Sequence, residues 1–100
     1  MILSVSASPR ANKRFRAKWT DADGKERYTD FGQPGANTYT DGASEETRQN
    51  YIKRHMANPA ERAKIVQLTP SPAVFSMYLL WGASRSIETN RRELNRMMKD

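Results

Sequence analysis

The sequence contains no cysteine and a single histidine, His55. Disulfides, thiolate zinc sites and cysteine nucleophiles are excluded together, and a multi-histidine metal site goes with them. Long apolar runs are missing too: the longest, Ala73–Trp81, is far too short to span a bilayer. The apolar opening Met1–Val5 is also short, and basic residues follow it instead of preceding it, the reverse of a secretory signal. The expectation is an intracellular protein, or one carried in something assembled inside a cell, with no cofactor and no membrane span. Hydrophobic residues are only 37% of the chain and mean hydropathy is -0.87, which predicts a modest core with much solvated surface. A chain of 100 residues has room for one domain.

Charge is unevenly spread. The first 20 residues hold Arg10, Lys13, Arg14, Arg16 and Lys18 and no acid, whereas the other basic and acidic residues nearly cancel to leave the net +6. A locally basic segment favours a polyanionic partner, a nucleic acid or an acidic protein surface. A solvated, solubilising tail is the other reading.

Residues 1–12 are rich in Ser and Ala, contain Pro9 and show no sustained periodicity, which predicts a flexible basic arm ahead of a domain over 13–100. From Arg14 the pattern changes: Arg14, Arg16 and Lys18 alternate with Phe15, Ala17 and Trp19, the period of a half-buried strand. Asp21–Lys25 supplies turn chemistry and Glu26–Phe31 reads as the returning strand. Residues 14–31 are therefore predicted to form a β-hairpin, followed by a loop at Gly32–Asn37.

The rest reads as helical. Ser44 is a suitable N-cap, with Glu45 and Glu46 at the positive end of the helix dipole. That helix is expected to reach about Ala57, with Tyr51, Ile52, His55 and Met56 inward and Arg48, Lys53 and Arg54 outward or snorkelling. Asn58-Pro59-Ala60-Glu61 combines a cap, a first-turn proline and a reciprocal glutamate, starting a second helix through about Leu68. Ser71-Pro72 repeats the device before the almost wholly apolar segment ending at Trp81, the predicted buried central helix, and Gly82 stops it. A last helix spans about Ser86–Met98, with Ile87, Leu94, Met97 and Met98 on one stripe. The predicted class is α+β: a β-hairpin or small antiparallel sheet packed on three to four short helices, with Trp19, Phe31, Tyr51, Ile52, Phe75, Leu79, Leu80 and Trp81 in the core.

No catalytic constellation emerges. His55 fits either a general base or a packed, hydrogen-bonded histidine. Asp21, Asp23 and Asp30 lack the later ligands of a calcium loop, and Gly32 and Gly35 are not followed by the Lys-Ser/Thr of a phosphate loop. The hairpin is the best functional surface. Its face of Arg14, Arg16 and Lys18 suits a phosphate backbone, and equally suits cross-strand ion pairs with Glu26 and Asp30. Trp19, Tyr28 and Phe31 fit either base stacking or the hairpin's own core.

Taken in order, Phe15-Arg16-Ala17-Lys18-Trp19, Gly24-Lys25, Thr29–Gln33, Tyr39-Thr40, the Arg48–His55 stretch and Tyr78–Gly82 resemble a family of small, uncharacterised proteins of giant viruses, the nucleocytoplasmic large DNA viruses. The resemblance spans about residues 13–90 and brings no catalytic residues with it. It implies a viral source, and with it a non-enzymatic structural protein of the virus particle, a minor capsid or internal component, found in the virion and in host cytoplasm or nucleus during assembly. The partners expected are viral structural proteins or DNA, contacted through Arg10, Lys13, Arg14, Arg16 and Lys18, with no small-molecule substrate and with oligomerisation left open. The alternative is a sequence-nonspecific nucleic-acid-binding protein that coats or condenses viral DNA.

Overall fold

The computed structural model describes residues 1–99, with Lys99 described by its backbone alone. Strands β1 (Ile2–Ala7), β2 (Phe15–Thr20) and β3 (Glu26–Phe31) form one antiparallel sheet in the order β1-β2-β3. A short 3-10 turn at Tyr39–Asp41 precedes four helices: α1 (Glu45–Met56), α2 (Pro59–Gln67), α3 (Pro72–Phe75) and α4 (Ile87–Lys99). A π-helical segment, Ser76–Leu80, continues α3. The fold is α+β, as expected. Among the described residues no helix is long and apolar enough to cross a membrane.

The flexible arm expected over residues 1–12 is corrected here, because Ile2–Ala7 pair with β2 as an edge strand. Its register runs Ile2 to Trp19, Val5 to Ala17 and Ala7 to Phe15, with an irregularity between Ile2 and Ser4. That bulge places Ile2 and Val5 on the same inner face at a spacing of three, so the period-two signal of a strand is broken in the sequence. The start of the edge is covered by α4. The Ile2 N–H donates to Asn95 Oδ1 at 2.6 Å, and Asn95 Nδ2 donates back to the Ile2 carbonyl at 2.9 Å. Arg91 donates to the same carbonyl at 2.9 Å, so side chains of α4 satisfy the first edge groups that a further strand would otherwise take.

The helix starts follow the local chemistry. Ser44 Oγ accepts from the Thr47 N–H, Asn58 Oδ1 from Ala60 and Glu61, and Ser71 Oγ from Val74, each satisfying donors that the first helical turn leaves free. The inner sheet face, with Ile2, Ala17 and Phe31, packs on Phe75, Leu79, Leu80 and Trp81 of the central helix and on Leu94 of α4. Phe31 and Trp19 lie 5.8 and 6.5 Å from the Phe75 ring in tilted geometry. Of the predicted core, Phe31, Phe75, Leu79, Leu80 and Trp81 are buried, whereas Trp19, Tyr51 and Ile52 are half-buried at its margins. Met97, placed on the inner stripe of the last helix by its spacing, is exposed.

Gly82 ends the central helix, but without a left-handed backbone. A Cβ at this position would lie 2.3 Å from the Tyr78 carbonyl and 2.7 Å from Asn90 Cγ. The Tyr78 carbonyl, together with Asn90 on α4, is what requires glycine there. Asn90 fills the space: its Nδ2 donates to the carbonyls of Leu79 and Ser84, and its Oδ1 accepts from the Ser84 N–H. Arg48, expected to point outward or snorkel, donates through Nε to the carbonyls of Trp81 and Gly82 at 2.9 and 3.1 Å, capping the central helix from α1.

Candidate functional site

The outer face of the sheet carries Arg16 and Lys18 on β2 opposite Asp30 and Tyr28 on β3. Arg16 meets the Asp30 carboxylate with two contacts, Nε to Oδ1 at 2.7 Å and a terminal nitrogen to Oδ2 at 3.1 Å. Lys18 lies 3.4 Å from Glu26. Arg14, just before β2, forks onto Asp41 and also donates to the Ala36 carbonyl at 3.2 Å. The cross-strand ion pairs expected of this face, Arg16 with Asp30 and Lys18 with Glu26, are present. The Arg16 hydrogen bond is the main reason the Asp30 carboxyl sits below its ordinary pKa.

Asp41 is the most strongly held of these acids. Arg14 first, and then the Thr38 N–H and hydroxyl, keep its carboxyl well below the usual carboxylate range, although desolvation works the other way. A carboxyl depressed in the fold contributes stability above its unfolded pKa, and that stability is lost as pH falls toward the folded value. Urea-unfolding midpoints are therefore expected to hold near neutrality and to drop below about pH 4. Asp41→Asn is less stable at neutral pH, and its deficit against the parent shrinks as pH falls. A deficit that stays constant down to about pH 2 contradicts this assignment.

The basic cluster of the sequence is consequently split. Arg14, Arg16 and Lys18 are paired, while Arg10 and Lys13 have no ion-pair partner among the described residues. Arg10 is exposed and Lys13 half-buried. Lys13 does not face the sheet's outer surface with the others. It lines a cleft of about 730 Å³ shared with Gln33 after β3, Tyr51, Arg54 and His55 on α1, Glu61 on α2, and Ser76 and Trp81 of the central helix.

This cleft was not apparent from the sequence, because its walls come from segments far apart in the chain. Inside it, His55 Nδ1 pairs with Glu61 Oε2 at 2.5 Å, linking the end of α1 to the start of α2. Tyr51 stacks on Trp81 with centroids 4.3 Å apart and planes 10° apart, and lies 4.1 Å from the His55 ring. Burial pushes the Tyr51 hydroxyl up to about 12, with Glu61 adding to the shift and Arg54 opposing it. Arg54 sits over the Tyr51 ring at 5.7 Å and has no ion-pair partner among the described residues. His55 is thus a packed, hydrogen-bonded residue that still borders open space. No group of three or more metal-ligating side chains occurs among the described residues.

Comparison with known proteins gives two findings. The model of a family of unknown function, DUF5754, matches residues 3–55. The chain is also 36% identical over 80 residues to an uncharacterized protein of Acanthamoeba polyphaga mimivirus, covering 79% of this chain and 80% of the relative. The chain belongs to DUF5754. No solved structure matches it. The DUF5754 match starts within β1, so the N-terminal segment that the sequence resemblance leaves out is part of the family's region. The same match takes in Lys13, Gln33, Tyr51, Arg54 and His55 of the cleft and stops short of Glu61 and Trp81. This DUF5754 chain is accordingly a viral protein of unknown function with an α+β fold.

Proposed function

We propose that the protein is a non-enzymatic structural component of a large DNA virus particle, a minor capsid or internal protein, which docks on other viral structural proteins. The observation that carries this reading is the charge-balanced outer face of the sheet. Arg16 and Lys18 are matched there by Asp30 and Glu26 around Tyr28, which is 59% exposed. A protein that neutralises phosphates needs cations free to displace counterions. Cations already held by carboxylates would have to give up those partners first. A neutral face with an exposed aromatic resembles the composition of protein–protein contacts, where aromatic residues are enriched and charge is low at the centre. Arg10 lies in the loop bordering this face and would meet acidic groups at the rim.

Nucleic-acid coating is the second reading. It is favoured by the net charge of +6 and by Arg10, Lys13, Lys53, Arg54, Arg62 and Lys64, for which the described residues supply no ion-pair partner. Titration of fluorescent duplex DNA at low and physiological salt separates the two. Docking on protein expects weak binding with a shallow salt dependence; coating expects affinity that falls steeply with salt.

A further inference from the structure

We infer that the cleft between the Lys13 loop and the end of α1 binds a phosphoryl group carried on a small organic molecule. Two cations without ion-pair partners among the described residues, Lys13 and Arg54, line it from separate segments. The His55 ring borders the same space, with Nδ1 engaged by Glu61 and Nε2 without a partner among the described residues. The amides of Asn12 and Gln33 and the hydroxyl of Ser76 also line it. None of these side chains has a hydrogen-bond partner among the described residues, apart from that His55 contact.

Elsewhere the fold answers most arginines with a carboxylate; here cations and neutral donors border one space, and the one carboxylate among its lining residues, Glu61, is occupied by His55. A phosphoryl group accepts from several directions at once, and Arg and Lys are its usual partners, the first as a fork and the second as a point charge. The space, about 730 Å³, exceeds what a bare phosphate needs and lies in the range of small-molecule sites. Its apolar lining of Pro72, Ala73, Leu80 and Trp81 suits an organic body attached to the phosphate. The ligand is held and not transformed, and the site is independent of docking through the sheet.

The test is an amide chemical-shift titration of the whole isotope-labelled protein with adenosine monophosphate, inorganic phosphate and acetate. Saturable shifts centred on Lys13, Gln33, Arg54 and His55 are expected with the mononucleotide in the millimolar range or tighter, with weaker binding of inorganic phosphate and none of acetate. Lys13→Met and Arg54→Gln keep the side-chain stems and leave the amide shifts of Phe31, Phe75 and Leu94 in place. Each is expected to weaken the mononucleotide at least about tenfold, the loss of one charge-assisted contact, while Lys25→Met leaves it unchanged. Four results would overturn the inference: no saturable shift, equal response to acetate, inorganic phosphate binding as tightly as the mononucleotide, or affinity unchanged in both cleft variants. Duplex DNA outcompeting the mononucleotide for these same amides would also overturn it, in favour of a nucleic-acid surface.

Discussion

Phe75→Ala is expected to lower the unfolding free energy by about 3–5 kcal/mol, enough to bring a domain of ordinary stability close to unfolding. Phe75 is fully buried where the central helix meets the sheet. Its ring centroid lies 5.8 Å from that of Phe31 on β3 and 6.5 Å from that of Trp19 on β2, so truncation removes aromatic contacts between the two layers. The neighbours cannot collapse into the gap easily. Phe31 is held by the sheet register and by its own contact with Phe15 at 5.8 Å. Urea denaturation followed by Trp fluorescence measures the loss; Phe75→Leu should recover more than half of it, and a loss below about 1.5 kcal/mol in the alanine variant contradicts this packing.

Asn90→Leu is expected to cost about 2–4 kcal/mol, although it adds apolar volume to a core. Asn90 is 4% exposed and serves three backbone groups. It donates to the Leu79 carbonyl at 3.0 Å and the Ser84 carbonyl at 2.8 Å, and accepts from the Ser84 N–H at 3.0 Å. Leucine leaves all three without a partner where α4 crosses the end of the π-helical segment, and a buried group left unpaired costs more than a satisfied bond gains. The pairing with Gly82 sharpens the effect, since a branched side chain meets a site that tolerates no Cβ on the facing residue. Asn90→Asp keeps the acceptor and loses two donations; it should be intermediate when measured in the same denaturation series.

Much of the fold was legible because its signals are local. Ser44, Asn58-Pro59 and Ser71-Pro72 announce helix starts through the first-turn donors they satisfy, and the hairpin follows from the alternation of Phe15, Ala17 and Trp19 with basic residues. β1 was not legible, because a bulge at its start breaks the alternation and because its partners are supplied by β2 and, at Ile2, by α4. Charge misled for a related reason. The basic run of residues 10–18 is local in the sequence, but Glu26, Asp30 and Asp41 fold back onto Lys18, Arg16 and Arg14 and offset three of its five charges. The cleft was illegible altogether: His55 was recognisable as a packed histidine, but its convergence with Lys13, Gln33 and Trp81 depends on how the loop after β3 and the central helix meet α1. Arg48 shows the same limit, since a charge on a helix face gives no sign of the carbonyls of Trp81 and Gly82 that await it.

If the protein docks on other proteins as proposed, the hairpin cations stay engaged with Asp30, Glu26 and Asp41 when duplex DNA is offered. Fluorescence-anisotropy titration of duplex DNA against the parent and against Arg14→Ala/Arg16→Ala/Lys18→Ala, each checked for folding, tests it most directly. Weak binding at low salt, a logarithmic salt slope of magnitude below about 2, and an affinity in the variant within about threefold of the parent are expected. A slope of about −4 or steeper in the parent, collapsing in the folded variant, would contradict it and assign DNA binding to the hairpin.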